Sequence, residues 1–376
     1  MKTVAILKKD FHTHGGLEKS SWRILQAFKA TGADVTLLTA QVKNHDVSAP
    51  CSVLSCPLES KLKFKRLKEF DDWCAATVKA RAFDVVFSMD RSSYHTHHRA
   101  GNGVHAAYLA FRRQKEGFLK GLSFSLNPLH RVILKLEKAT FENPHLKGII
   151  VNSAFVKDQI LQFYSTPPSK IHVVHNGVEW LEMEADFQAS FEQKEFIAQN
   201  LNLDPSLFQF LFIGHNFQRK GLELLLLALS RLQRRDFHLS VVGSDKNLAA
   251  YQKKAAELGL SKNVTFFYSQ SDTRPFYQVA DALVIPSQYD PFANVTVEAL
   301  AMGLFVISSK NNGGHEVLNS ISGITVDPFD LDRFTAALEK AFDHPKNLLS
   351  AQQIRASVQH LDFSHQLEKV CQLCLT

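Results

Sequence analysis

Two adjacent cations, Arg219 and Lys220, follow an apolar run ending at Ile213 and the turn Gly214-His215-Asn216-Phe217-Gln218, and Gly221 comes straight after them. Such charges beside a helix N-terminus make a diphosphate site, because side-chain cations and free backbone amides converge on one anion. The plainer reading is a solvated basic turn. Further on, Asp290 stands in a loop, and Glu298 falls within Asn294-Val295-Thr296-Val297-Glu298-Ala299-Leu300, which reads as a helix starting near Ala293 or Asn294. A carboxylate accepts paired hydrogen bonds from vicinal hydroxyls and so suits a ribose or a hexose. The free amides of residues 293–295 suit a phosphate. A third place is Gly15-Gly16-Leu17-Glu18, where paired glycines let backbone amides approach a ligand as a helix begins. It lacks the spacing of a dinucleotide fingerprint, so nicotinamide chemistry gains no support.

These residues need strands to carry them, and the chain supplies strands throughout. Short β-branched runs alternate with longer amphipathic segments, the pattern of βαβ units and parallel sheets. Strands are predicted over 3–7, 34–39, 84–88, 148–151 and 171–174, then over 209–213, 238–242, 264–267, 282–285 and 304–307. Helices such as 221–233 and 247–258 lie between them. Each half reads as a doubly wound α/β domain, with the joint in the polar, non-periodic stretch from Glu179 to Pro205. Ligands bind at the carboxyl ends of such strands, and the residues singled out above follow strand ends.

The formal charge of +6 comes from 43 Lys+Arg and 37 Asp+Glu, and it is unevenly placed. Residues 1–175 carry a net +12 and residues 176–376 a net −6, which gives the first half a surface for something anionic. Residues 61–68 hold five cations and no acid; residues 112–136 combine basic side chains with Phe118, Leu119, Leu122, Phe124 and Leu126, then Leu129, Val132, Ile133 and Leu136 at helical spacing. Such segments lie apolar side down on anionic lipid, or else cover an ordinary core with a solvated face. No nucleic-acid recognition motif accompanies them.

The opening apolar run stops at Lys8-Lys9-Asp10, too short for a signal peptide, and no stretch reaches the length of a membrane span. The five cysteines read as reduced thiols, with Cys371 and Cys374 packing on a terminal helix. The expected location is cytoplasmic, with any membrane contact peripheral. His95, His97 and His98 have no carboxylate at helical spacing and read as a solvated or substrate-lining loop rather than a metal site.

Taken in order, Gly15–Glu18, Asn152-Ser153, His175-Asn176-Gly177-Val178, Arg219-Lys220-Gly221, Val242-Gly243 and the acid-x7-Glu element from Asp290 to Glu298 resemble the retaining glycosyltransferases of family 4. Within that family, the segments 114–119, 136–142 and 208–221 resemble the lipopolysaccharide core glucosyltransferases. The resemblance implies the GT-B architecture, two Rossmann-like domains facing a cleft. Residues 1–178 would bind the acceptor and 179–362 the nucleotide sugar, while 363–376 would form a helix packing back on the first domain.

It also implies a nucleotide-sugar donor, UDP-glucose foremost, with no cofactor and no metal. Arg219 and Lys220 would hold the diphosphate and Glu298 the ribose, with backbone near Gln270 at the uracil. Amides near Asn294, Val295 and Thr296, with Gly15 and Gly16, would complete the phosphate cradle. Asp290 would contact the hexose, although the family usually has Glu there. His105 falls where the glucosyltransferase pattern has an acid, and is a candidate for the reacting centre or for simple loop packing. Transfer would proceed with retention to a lipopolysaccharide inner-core sugar. The alternatives are a mannosyl or N-acetylhexosaminyl transferase of the same family acting on a lipid-linked glycan, or a non-catalytic relative that binds nucleotide sugars.

Overall fold

A computed structural model describes residues 1–11, 16–42 and 51–376, apart from the side chains of 16–20, 41, 42, 118 and 119. The chain divides into two units, Met1–His175 with Gln366–Thr376, and Asn176–His365.

The first unit is built on a seven-stranded sheet. Its order is Ser52–Ser55, Asp34–Thr39, Thr3–Leu7, Val85–Ser88, His97–Ala100, Gly148–Val151 and Ile171–Val173. Every neighbouring pair is parallel. Val4, Ile6, Leu37, Phe87 and Ile150 fill one side with Phe28 and with Val370, Cys371 and Cys374 of the closing helix. A sheet covered by helices on both faces needs near-continuous apolar strands, and Val4 to Leu7 and Val85 to Phe87 are all buried.

One strand breaks that pattern and corrects the sequence reading. His97–Ala100 pairs with Val85–Ser88 and Gly148–Val151, and His95, His97 and His98 are buried rather than solvated. Burial holds all three imidazoles neutral: it pushes His95 and His97 down to about 4 and His98 well below the ordinary histidine value. A neutral imidazole is an admissible core side chain, which is why a run of polar letters became a central strand.

The second unit carries a six-stranded parallel sheet in the order Val264–Phe266, Phe237–Val242, Phe208–Ile213, Ala282–Ile285, Phe305–Ser309 and Gly323–Val326. The chain adds strands outward on one side of Phe208–Ile213 and then returns to its other side at Ala282–Ile285. This reversal opens a crevice beyond the carboxyl ends of those two strands. The stretch read as non-periodic, 179–205, instead holds the helices Glu184–Glu192 and Lys194–Asn200. Met183, Phe187, Ile197, Ala198 and Leu203 are buried there. Their short helices offer too few turns for a period to show.

Candidate active site

The loops after these strands are drawn together by backbone, and Gln288 N donates across the reversal to Arg219 O at 2.9 Å. Gly214 N donates to Val242 O at 3.0 Å, and Gly243 N donates to Tyr268 O at 2.7 Å. Gly243 has φ +136°, and a Cβ there would lie 1.9 Å from Gly214 O, so only glycine lets the two strand ends approach. Asn216, itself at φ +58°, caps the four-residue helix Phe217–Lys220 by accepting from Arg219 N.

Arg219 and Lys220 therefore end a short turn of helix and come just before the helix Leu222–Ser230. Both point at one carboxylate. Arg219 Nη1 lies 3.0 Å and Lys220 Nζ 2.7 Å from Asp290 Oδ2, while Phe292 N donates to Oδ1 at 3.2 Å. Burial raises the Asp290 carboxyl, but Lys220 and then Arg219 outweigh it and hold the group below the usual carboxylate range.

The helix Asn294–Ala301 begins four residues later, and Glu298 lies one turn in. Its Oε2 accepts from Tyr277 Oη at 2.7 Å. Of the amides expected to be open, that of Ala293 is taken by Asn312 Oδ1 at 2.9 Å, and that of Thr296 by Ala293 O at 3.0 Å. The Thr296 side chain accepts from Asn312 Nδ2. Only Asn294 and Val295 lie in the first turn without an intrahelical acceptor; the Asn294 side chain accepts from Asn176 Nδ2 at 2.7 Å. Asn312, wholly buried, also bonds Ser308 and Gly314 N, so it ties this helix start to the loop after Phe305–Ser309. Sequence reasoning missed Tyr277 and Asn312. Asn311-Asn312-Gly313-Gly314 after an apolar run is a readable turn signal, but nothing local reveals Asn312's partners.

Gln270 is exposed beyond the strand Val264–Phe266 and donates to Phe267 O. Arg219, Lys220, Asp290, Asn294, Val295, Thr296, Glu298 and Gln270 thus all belong to the second unit. Gly16 opens the helix Gly16–Ala30 of the first unit, while Gly15 lies outside the described residues.

His105 opens the helix His105–Glu116 in the first unit. Its Nε2 meets His130 Nδ1 at 3.0 Å, and burial, with Arg91 next, pushes it down to about 4. The same turn shows a hub the sequence reading missed. Glu137, fully buried, accepts from the amides of His105 and Ala106 at 2.7 and 2.9 Å, from Tyr164 Oη at 2.7 Å and from Arg91 Nε at 2.8 Å. It serves as the missing cap, since Val104 at the N-cap position supplies none. Among the described residues no group of three His, Cys, Asp or Glu is placed to hold a metal.

At the parallel-sheet reversal of a Rossmann-like unit, paired cations thus close on one buried acid, with a second acid one turn into the adjoining helix. Two family models extend over most of the chain: one described as Glycosyltransferase Family 4 over residues 14–179, and one as Glycosyl transferases group 1 over 193–357. The chain belongs to the family 4 glycosyltransferases, of GT-B fold, and is a glycosyltransferase.

Among its relatives is the lipopolysaccharide glucosyltransferase WaaG of Escherichia coli K12, 26% identical over 90% of this chain and 89% of that protein. An uncharacterized glycosyltransferase of Methanocaldococcus jannaschii is 29% identical over 51% of this chain, which spans half of that relative's length. The crystal structure of WaaG matches over 99% of both chains, with a TM-score of 0.79 and 22% identity. Anabaena HepE in complex with UDP and glucose matches over 99% of both chains, with a TM-score of 0.69 and 15% identity.

Proposed function

We propose that the protein transfers glucose from UDP-glucose, with retention, to a hydroxyl of a lipopolysaccharide inner-core sugar. The observation that carries this reading is the convergence of Arg219 and Lys220 on the single buried carboxylate of Asp290 at the sheet reversal, with Glu298 one turn into the adjoining helix. Arg219 and Lys220 take the diphosphate and neutralise the charge that develops as it leaves, the work a metal does in other designs. As phosphate oxygens draw the cations, Asp290 is released to accept from hexose hydroxyls. Glu298 accepts from the ribose, the amides of Asn294 and Val295 meet phosphate, and the loop around Gln270 borders the base.

The match to WaaG along most of both chains supports glucose and a lipopolysaccharide acceptor. A lipopolysaccharide core biosynthesis glycosyltransferase of Rhizobium meliloti, 33% identical over 34% of this chain, points the same way.

The acceptor belongs to the first unit, where His105 is the candidate for contact with it. Lys61, Lys63, Lys65 and Lys68 are exposed, as are Leu122 at 52% and Leu126 at 71%. These support peripheral attachment to the anionic cytoplasmic membrane face through 61–68 and 112–136. Among the described residues no helix is long and apolar enough to cross a membrane.

The test is transfer of label from UDP-glucose to purified core lipid lacking its hexose, in the presence of a chelator. Labelled lipid is the expected product; label moving only from GDP-mannose or UDP-N-acetylglucosamine would replace the donor assignment.

A further inference from the structure

A glutamate has three side-chain torsions, and holding its carboxylate for a ligand costs rotamer entropy unless the protein fixes it beforehand. Glu298 is fixed by Tyr277. The phenol is 1% exposed, and its hydroxyl donates to Oε2 at 2.7 Å. Burial, and then the charge of Glu298, push the phenol well above its ordinary value, so it remains a donor.

Tyr277 itself stands on a clamped element. Its helix, Arg274–Val279, presents the Tyr277 carbonyl to Lys346 Nζ at 3.0 Å. Gln278 Nε2 holds Asp186 O at 3.1 Å. The rings of Phe276 and Phe267 meet edge to face at 4.8 Å, which ties this helix to the loop that carries Gln270. One short helix is thereby bonded to the loop assigned to the base and to the acid assigned to the ribose.

We infer that Tyr277 is a positioning residue for the donor nucleoside: it presents the Glu298 carboxylate to the ribose hydroxyls in fixed register with the base loop. The phenol takes one lone pair of Oε2, and the ribose hydroxyls are to donate to the carboxylate held in that orientation, which has more than one acceptor site to offer. The inference rests on the donor-site reading above and adds the residue that makes the site selective for a ribose over a deoxyribose.

The test is calorimetric binding of UDP and of 2′-deoxy-UDP to the wild type, Tyr277→Phe and Glu298→Gln, each measured well below its own melting midpoint. Phenylalanine keeps the buried ring, and a circular dichroism melt reports whether the fold holds. The wild type should favour UDP by about tenfold, the value of a hydrogen bond to a charged group. Tyr277→Phe should lose about tenfold on UDP and little on 2′-deoxy-UDP, so that the preference collapses toward one. A purely structural role would weaken both nucleotides alike, and a preserved preference in Tyr277→Phe overturns the inference. Equal binding of the two nucleotides by the wild type, or an unchanged preference in Glu298→Gln, identifies the fault as the ribose role of Glu298, and the inference falls with it.

Discussion

At Asp290 a single carboxylate oxygen takes two cations in a place where the side chains of Asp290 and Lys220 are 7% and 12% exposed. Removing one partner of such a buried pair leaves charge without compensation and costs on the order of 3 kcal/mol. Asp290→Asn should therefore melt earlier than the wild type, and adding UDP should raise its melting temperature by more than it raises that of the wild type, because the diphosphate replaces the lost anion. Identical melting and an identical UDP shift would contradict the pairing. Arg219, Lys220 and Asp290 could each be singled out from adjacency and an eight-residue acid spacing, which are local facts, but their closure on one another was not legible, because the partners lie about seventy residues apart in the chain. Tyr277 and Asn312 carry no local signal of this kind, and their partners too come from other segments.

Among the elements, the strand His97–Ala100 and the helix His105–Glu116 are held by groups that sequence periodicity does not register. The strand depends on neutral imidazoles and the helix on a carboxylate brought in from the helix Pro128–Phe141. The apolar strands were legible because burial on both faces demands continuous hydrophobic runs. This one was not, because its letters are polar.

Its chemistry gives a pH dependence. His95, His97, His105 and His238 are each held near 4, and His98 well below its ordinary value, in every case by burial first. An unfolded histidine titrates near 6.5, so below about that pH the unfolded chain binds more protons than the folded one. Stability is whole above that point and falls as the pH drops toward 4. Urea midpoints at pH 7.5, 6 and 5 should decline in that order; a midpoint constant down to pH 5 would show that these imidazoles are not buried neutral.

Across the whole molecule, two parallel-sheet units carry charge of opposite sign, net +12 over residues 1–175 and net −6 over 176–376. Both sheets were legible in outline from alternating strands and helices. The units divide at His175–Asn176, and the polar segment after that point folds into the second unit. The positive surface leads to a prediction for the intact protein. Replacing Lys61, Lys63, Lys65 and Lys68 together by Gln should lower the partition coefficient onto phosphatidylglycerol vesicles, read by sedimentation, by up to about a thousandfold, at about 1 kcal/mol per cation near the surface, while UDP affinity stays unchanged. Undiminished sedimentation would make that stretch a solvated face.

In the proposed function the second unit binds a nucleotide sugar through Glu298, Arg219 and Lys220 and activates its diphosphate. The most direct measurement is equilibrium binding and turnover of labelled UDP-glucose by the wild type, Glu298→Ala and Lys220→Ala. The expected result is tight binding by the wild type, binding largely lost in Glu298→Ala, and turnover lost in Lys220→Ala. Wild-type binding and turnover in both variants would contradict it.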